Sequence, residues 1–126
     1  MRWWPESAGG AIVAVVAAGG ALGSAARYGL GVVLPDQVGG FPWTTFAINV
    51  TGCLAIGLLT GLPLPRVVAT FLGAGVLGGY TTMSTYADQA RALLVAGEWG
   101  TAAAYVGGTL SAALIAVHIG LRRADR

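Results

Sequence analysis

The stretch Gly78-Gly79-Tyr80-Thr81-Thr82-Met83-Ser84-Thr85-Tyr86 sits in the middle of an otherwise apolar segment, about 67–95, and follows Gly73 and Gly75. Glycine pairs and consecutive hydroxyl residues are poor material for a continuous helix. Glycine loses the most backbone entropy, and Ser and Thr side chains compete for backbone hydrogen bonds. At hydrocarbon depth, non-helical backbone is tolerated only where protein buries it or a cavity receives it, and interrupted helices mark ion and substrate sites in many transporters. The pattern predicts a break near 78–82. The competing reading is an intact, glycine-rich packing helix whose threonines bond their own carbonyls, and periodicity alone leaves both open.

The rest of the row explains why this segment is read at membrane depth. Of 126 residues, 56% are hydrophobic and only 10% charged, against about a quarter charged in soluble domains. Charge-free intervals run over 7–26, 37–65, 67–87 and 99–121, and roughly 20 helical residues cover the ~30 Å hydrocarbon core. The spans are placed at about 10–34, 43–62, 67–95 and 99–121, with Pro35 and Asp36 ending the first and Pro63 and Pro65 closing the second. The fold class is therefore an all-α membrane protein of four transmembrane helices, the third broken, forming one domain over 1–126. No stretch remains for a separate soluble catalytic domain. Arg2 followed by an apolar run imitates a signal peptide, but the run is too long and three similar segments follow, so it reads as a retained first helix.

Trp3, Trp4, Trp43 and Trp99 all fall beside span ends, as an interfacial aromatic belt would place them. Four spans put both termini on one side. That side collects Arg2, Arg66, Arg122, Arg123 and Arg126, against Arg27 and Arg91 opposite, which favours cytoplasmic termini and a multi-pass protein of the cell membrane. The positive balance reads as a topology signal and as contact with membrane lipid. No basic cluster with interleaved aromatics points to nucleic acid.

The polar inventory narrows the chemistry. The acids Glu6, Asp36, Asp88, Glu98 and Asp125 all lie at span ends or outside them, which disfavours a proton-coupled exporter of the small multidrug-resistance type. His118, the only histidine, lies near the end of the last span and suits interface packing or lipid contact. Cys53 has no partner for a disulfide or metal site. No enzyme is indicated. What remains inside is Asn49, the hydroxyl track Thr81, Thr82, Ser84 and Thr85, the face shared by Tyr105 and Thr109 four residues apart, and the cation Arg27. These are mostly hydrogen-bond donors, and a path lined by donors suits a small anion or a neutral solute. Asn49 joining helices and Arg27 snorkelling to the interface are the competing structural roles.

Three strings carry a family resemblance. Gly19-Gly20-Ala21-Leu22-Gly23-Ser24-Ala25-Ala26-Arg27-Tyr28 resembles the GGxxGxxxRY motif of the Fluc fluoride channels, also called CrcB. Thr45 to Gly52 is similar to that family's TxxxNxxG pattern, and Gly78 to Tyr86 is similar to its GGFTTFSTF signature. The resemblance covers nearly the whole chain.

It implies a passive, fluoride-selective channel that expels toxic cytoplasmic fluoride through two pores built by two antiparallel subunits, with a structural sodium ion between the broken third helices. By motif position, Asn49 is the pore amide, Gly78 and Thr81 offer backbone carbonyls to sodium, and Arg27 draws anions toward the vestibule. Met83 and Tyr86 occupy places where the family usually has pore-facing phenylalanines, Thr82, Ser84 and Thr85 fall on the same signature, and Tyr105 and Thr109 are similar to its fourth-helix polar track. A thioether lacks the positive ring edge of Phe, and a phenol adds a hydroxyl that can donate. An antiparallel homodimer needs one chain to insert both ways, and five arginines against two favour a single orientation. The second subunit is therefore either another copy or a related, oppositely biased chain. The remaining alternatives are an exporter and a nonconducting membrane assembly subunit.

Overall fold

The structure, a computed structural model, describes residues 6–126. Arg2, Trp3 and Trp4, used above as topology signals, lie outside the described residues. Helix α1 spans Glu6–Val33 and α2 spans Trp43–Leu59. The third span is interrupted: α3 covers 66–80 and α4 covers Ser84–Val95, with α5, Trp99–Ala124, completing the fold. The segments Gly9–Val33, Arg66–Val95 and Trp99–Ala124 are long and apolar enough to cross a membrane, and α2 is a shorter apolar helix of 17 residues. Trp43 and Trp99 are exposed at their helix starts, as interfacial anchors require.

Two turns set the connections. Gly39, at φ +79°, lets the chain fold back between α1 and α2, where Gly40 N–H donates to the Gln37 carbonyl at 3.2 Å. Gly97, also at φ +79°, ends α4, with Gly97 and Glu98 N–H groups bonding the Leu94 and Leu93 carbonyls. Both need the left-handed backbone that glycine adopts without penalty. The second helix gives way to a turn at Thr60 rather than running to 62, because the Gly61 and Leu62 N–H groups bond carbonyls three residues back.

Lipid offers no hydrophobic drive for helix association, so close backbone contact does the packing. Along the face between α1 and α3, Gly75 lies so near Gly19 that a Cβ on it would sit 2.9 Å from the Gly19 Cα, and a Cβ on Gly79 would meet the Gly20 Cα at the same distance. Between α2 and α5, Gly57 and Gly120 stand in the same relation. A core of Ala90, Leu93, Ala102 and Tyr105, flanked by Phe41, Phe46 and Tyr86, ties α4 to α5 and to the start of α2.

The interruption of the third span falls at 81–83, at the far end of the expected 78–82. Gly78 to Tyr80 are helical, and the chain leaves helical geometry at Thr81, whose φ/ψ is −75°/156°. Gly79 stays helical with α1 packed where its side chain would be, while Gly78 meets nothing of α1. The turns at Phe71–Leu77 are widened: the Gly78 N–H reaches back to the Gly73 carbonyl, five residues earlier.

Candidate functional site

The break is held open by one amide. Asn49, on α2, donates from Nδ2 to the Thr82 carbonyl at 2.9 Å and accepts from the Thr82 N–H at 2.8 Å. In a continuous helix that N–H would go to the Gly78 carbonyl. The next turn repeats the substitution, because the Thr85 N–H donates to the Thr82 hydroxyl at 3.1 Å instead of to the Thr81 carbonyl. Thr82 thus acts as the N-cap of α4, and the carbonyls of Gly78 and Thr81 are released from the helical ladder.

The Gly79 carbonyl is claimed from α1. Arg27 Nε donates to it at 3.1 Å and the Ser24 hydroxyl at 3.3 Å. A guanidinium at the carbonyl end of α3 complements the helix dipole there. Arg27 therefore braces the break as well as lining the cavity beside it.

Two cavities meet at Thr82. One, of about 250 Å³, is lined by Asn49, Cys53, Thr82, Met83, Tyr86 and Thr109 among others. The other, of about 440 Å³, is lined by Arg27, Asp36, Thr45, Thr82, Thr85 and Gln89 among others. In the first, the Thr109 hydroxyl is buried with no hydrogen-bond partner among the described residues, an arrangement that normally costs free energy unless something occupies the space beside it. Met83 is 75% exposed beside it. Ser84 is exposed, with its hydroxyl 3.4 Å from that of Thr82.

The tyrosines are committed elsewhere. The Tyr86 hydroxyl donates to the Val106 carbonyl at 2.9 Å, and its ring lies 5.1 Å from that of Tyr105. Tyr105 is fully buried, lines neither of these two cavities, and donates to Gln89 Oε1 at 2.8 Å. So Arg27, Asn49, Thr82, Met83, Thr85, Tyr86 and Thr109 are gathered around the break, while Tyr105 stands one layer behind Tyr86.

Sequence reasoning passes over Asp36, Gln89 and Ser24. Asp36 is legible there only as a helix terminator, yet its carboxylate bonds the Thr44 and Thr45 N–H groups at the start of α2. Gln89 lies four residues after Thr85, on the same helix face, and Ser24 lies three before Arg27. Those spacings are the available signal.

Residues 14–121 match the family described as CrcB-like protein, Camphor Resistance (CrcB). The chain is 47% identical over 91% of its length to a protein of Streptomyces coelicolor named fluoride-specific ion channel FluC 1, covering 78% of that protein. It is 50% identical to a FluC 2 protein of Streptomyces avermitilis, over 79% of this chain and 66% of that one. A FluC protein of Paracoccus denitrificans is 47% identical over 84% of this chain and 88% of its own length. With the broken span, the donor-lined cavities and this breadth of match together, the chain belongs to the CrcB family of multi-pass membrane proteins.

Proposed function

We propose that the chain is one subunit of a passive, fluoride-selective channel that lets toxic fluoride leave the cytoplasm. The observation that carries this reading is the Asn49 clamp on Thr82, which opens the backbone at membrane depth between two cavities. Fluoride is small and tightly hydrated, so a path for it must offer compact donors in place of water. The Asn49 amide keeps one N–H beyond the one given to Thr82, and Thr109, whose buried hydroxyl has no partner among the described residues, lines the same cavity. Names of relatives as fluoride-specific channels support the same ion.

The released carbonyls suit a hard cation, which prefers several oxygen ligands. A sodium ion held by Gly78 and Thr81 would lock the two interrupted spans together. Two released carbonyls do not complete the oxygen shell of a hard cation, so a full shell takes the same residues from a second chain. This favours a dimer with the breaks facing each other, and an antiparallel pair places both at the same depth. The arginine distribution favours cytoplasmic termini for this copy, and the opposite orientation falls to a second copy or a related, oppositely biased subunit.

The test is electrode-detected fluoride efflux from liposomes containing only the purified chain, with a chloride control. Fluoride-only release supports an antiparallel homodimer, and release only after a related subunit is added supports a heterodimer. Equal chloride release would overturn the selectivity. Replacing sodium by N-methylglucamine is expected to reduce efflux, and Thr81→Ser, which keeps the carbonyl, is expected to retain the sodium dependence.

A further inference from the structure

The larger cavity holds a second charge besides Arg27, and the donors around it form a finished anion site. Asp36 Oδ1 accepts the Thr44 N–H at 2.7 Å. Its Oδ2 accepts the Thr45 N–H at 3.2 Å, the Thr45 hydroxyl at 3.0 Å and Gln89 Nε2 at 3.2 Å. Two of these donors are N–H groups that α2 leaves unbonded in its first turn, where the helix dipole is positive. Backbone, hydroxyl and amide donors from two helices thus converge on one carboxylate, which belongs to the chain itself.

The carboxylate does more than close the helix start, where Asn would keep one acceptor oxygen against the two that Asp offers. Only Asp adds a negative charge to a cavity shared with Arg27, and Arg27 gives Nε to the Gly79 carbonyl while its terminal nitrogens have no partner among the described residues. A negative charge at the mouth of an anion path lowers local anion concentration, a cost to capture that only a benefit in release would offset.

We infer that Asp36 is a tethered counter-anion: it occupies the donor nest at the start of α2, offsets part of the Arg27 field, and so keeps a passing anion from being held at this mouth. The inference rests on the fluoride-channel reading and adds to it a residue that sets how strongly the mouth retains its ion. Removing one charge within a few ångströms of the path changes local anion occupancy about fivefold at low salt, and the change fades as the screening length shrinks to ~3 Å in molar salt.

The experiment compares the fluoride dependence of efflux for the wild type, Asp36→Asn and Asp88→Asn in liposomes, at low and high concentrations of an impermeant salt. Asp36→Asn keeps an oxygen for the Thr44 N–H and removes the charge. It is expected to lower the half-saturating fluoride concentration about fivefold at low salt and to merge with the wild type at high salt. Asp88→Asn removes an equal charge from the exposed pair with Arg91 and is expected to leave the curve in place. If Asp36→Asn does not elute as the wild-type oligomer, Asp36→Ser carries the same expectation. An Asp36→Asn curve that superimposes on the wild type at low salt, or an Asp88→Asn curve shifted equally, would overturn the inference. A wild type that releases no fluoride with or without a related subunit would remove the reading beneath it, a result separable from the other two.

Discussion

Asn49 and Thr82 exchange two hydrogen bonds, 2.9 Å from the amide nitrogen to the Thr82 carbonyl and 2.8 Å from the Thr82 N–H to the amide oxygen. A side chain of α2 thereby pairs with Thr82 as a neighbouring strand would. The interruption of the third span is consequently a property of two helices together, and α3 and α4 do not contain it alone.

Replacing Asn49 by Ala strands both backbone groups of Thr82 in a poorly hydrated place. The expected loss is about 2–4 kcal/mol of stability, the cost of two buried unsatisfied groups, together with loss of fluoride efflux. Asn49→Asp retains the acceptor for Thr82 N–H but turns the donor into a negative charge, so it is expected to fold better than Asn49→Ala and still fail to conduct. Thermal unfolding in detergent and liposome efflux together separate the two effects.

The tightly packed glycines of the α1–α3 face should be far less replaceable than those that meet nothing. A Cβ on Gly79 would sit 2.9 Å from the Gly20 Cα, and one on Gly23 would sit 2.8 Å from the Tyr80 nitrogen, both immovable backbone. Gly79→Ala and Gly23→Ala are expected to cost about 1–3 kcal/mol each by overpacking. A methyl group on Gly10 or Gly100 would meet nothing within 4 Å, and their replacement by Ala is expected to leave the unfolding midpoint unchanged or raise it slightly.

Tyr86→Phe asks what the phenol does. Its proton is held by the Val106 carbonyl at 2.9 Å, so the variant should lose about 1 kcal/mol of stability and conduct nearly as the wild type. A large loss of efflux without loss of stability would instead assign the hydroxyl to the ion.

Thr109→Val is the opposite experiment. The hydroxyl it removes is buried and unpartnered among the described residues, so folding stability should hold or improve. If the hydroxyl donates to an ion in transit, efflux should fall roughly tenfold, the equivalent of one hydrogen bond of about 1.4 kcal/mol. Thr109→Ser, which keeps the oxygen, should conduct.

Much of this is legible in the row of residues, for identifiable reasons. Hydropathy and the scarcity of charge locate the spans, because a bilayer tolerates little else. The glycine and hydroxyl pattern locates the interruption only to within a few residues. Gly78 and Gly79 carry a weak-helix signal, yet both stay helical, with α1 packed against Gly79. Thr81 and Thr82 carry a weaker signal, and Asn49, some thirty positions away, draws them out of the helix. Local propensity marks both pairs and cannot see the partners that separate them. In the sequence Arg27 reads as a charge for anions, whereas its bond to Gly79 depends on the approach of α1 and α3. Asp36 and Gln89 belong to a network that closes only when three helices meet, so neither stands out by spacing.

The widened turns of Phe71–Leu77 reach past their own hydrogen bonds. A helix advances by about 100° per residue, so a segment that accommodates an extra residue rotates everything after it without changing its direction of travel. Gly79 meets α1 and Thr82 meets Asn49 only in the phase that these turns establish. Deleting any one residue between 71 and 77 and letting the helix tighten would swing both off their partners, although several of those residues, taken singly, are ordinary apolar ones. The segment therefore behaves as a phase-setting spacer, whose length is under stronger constraint than its composition.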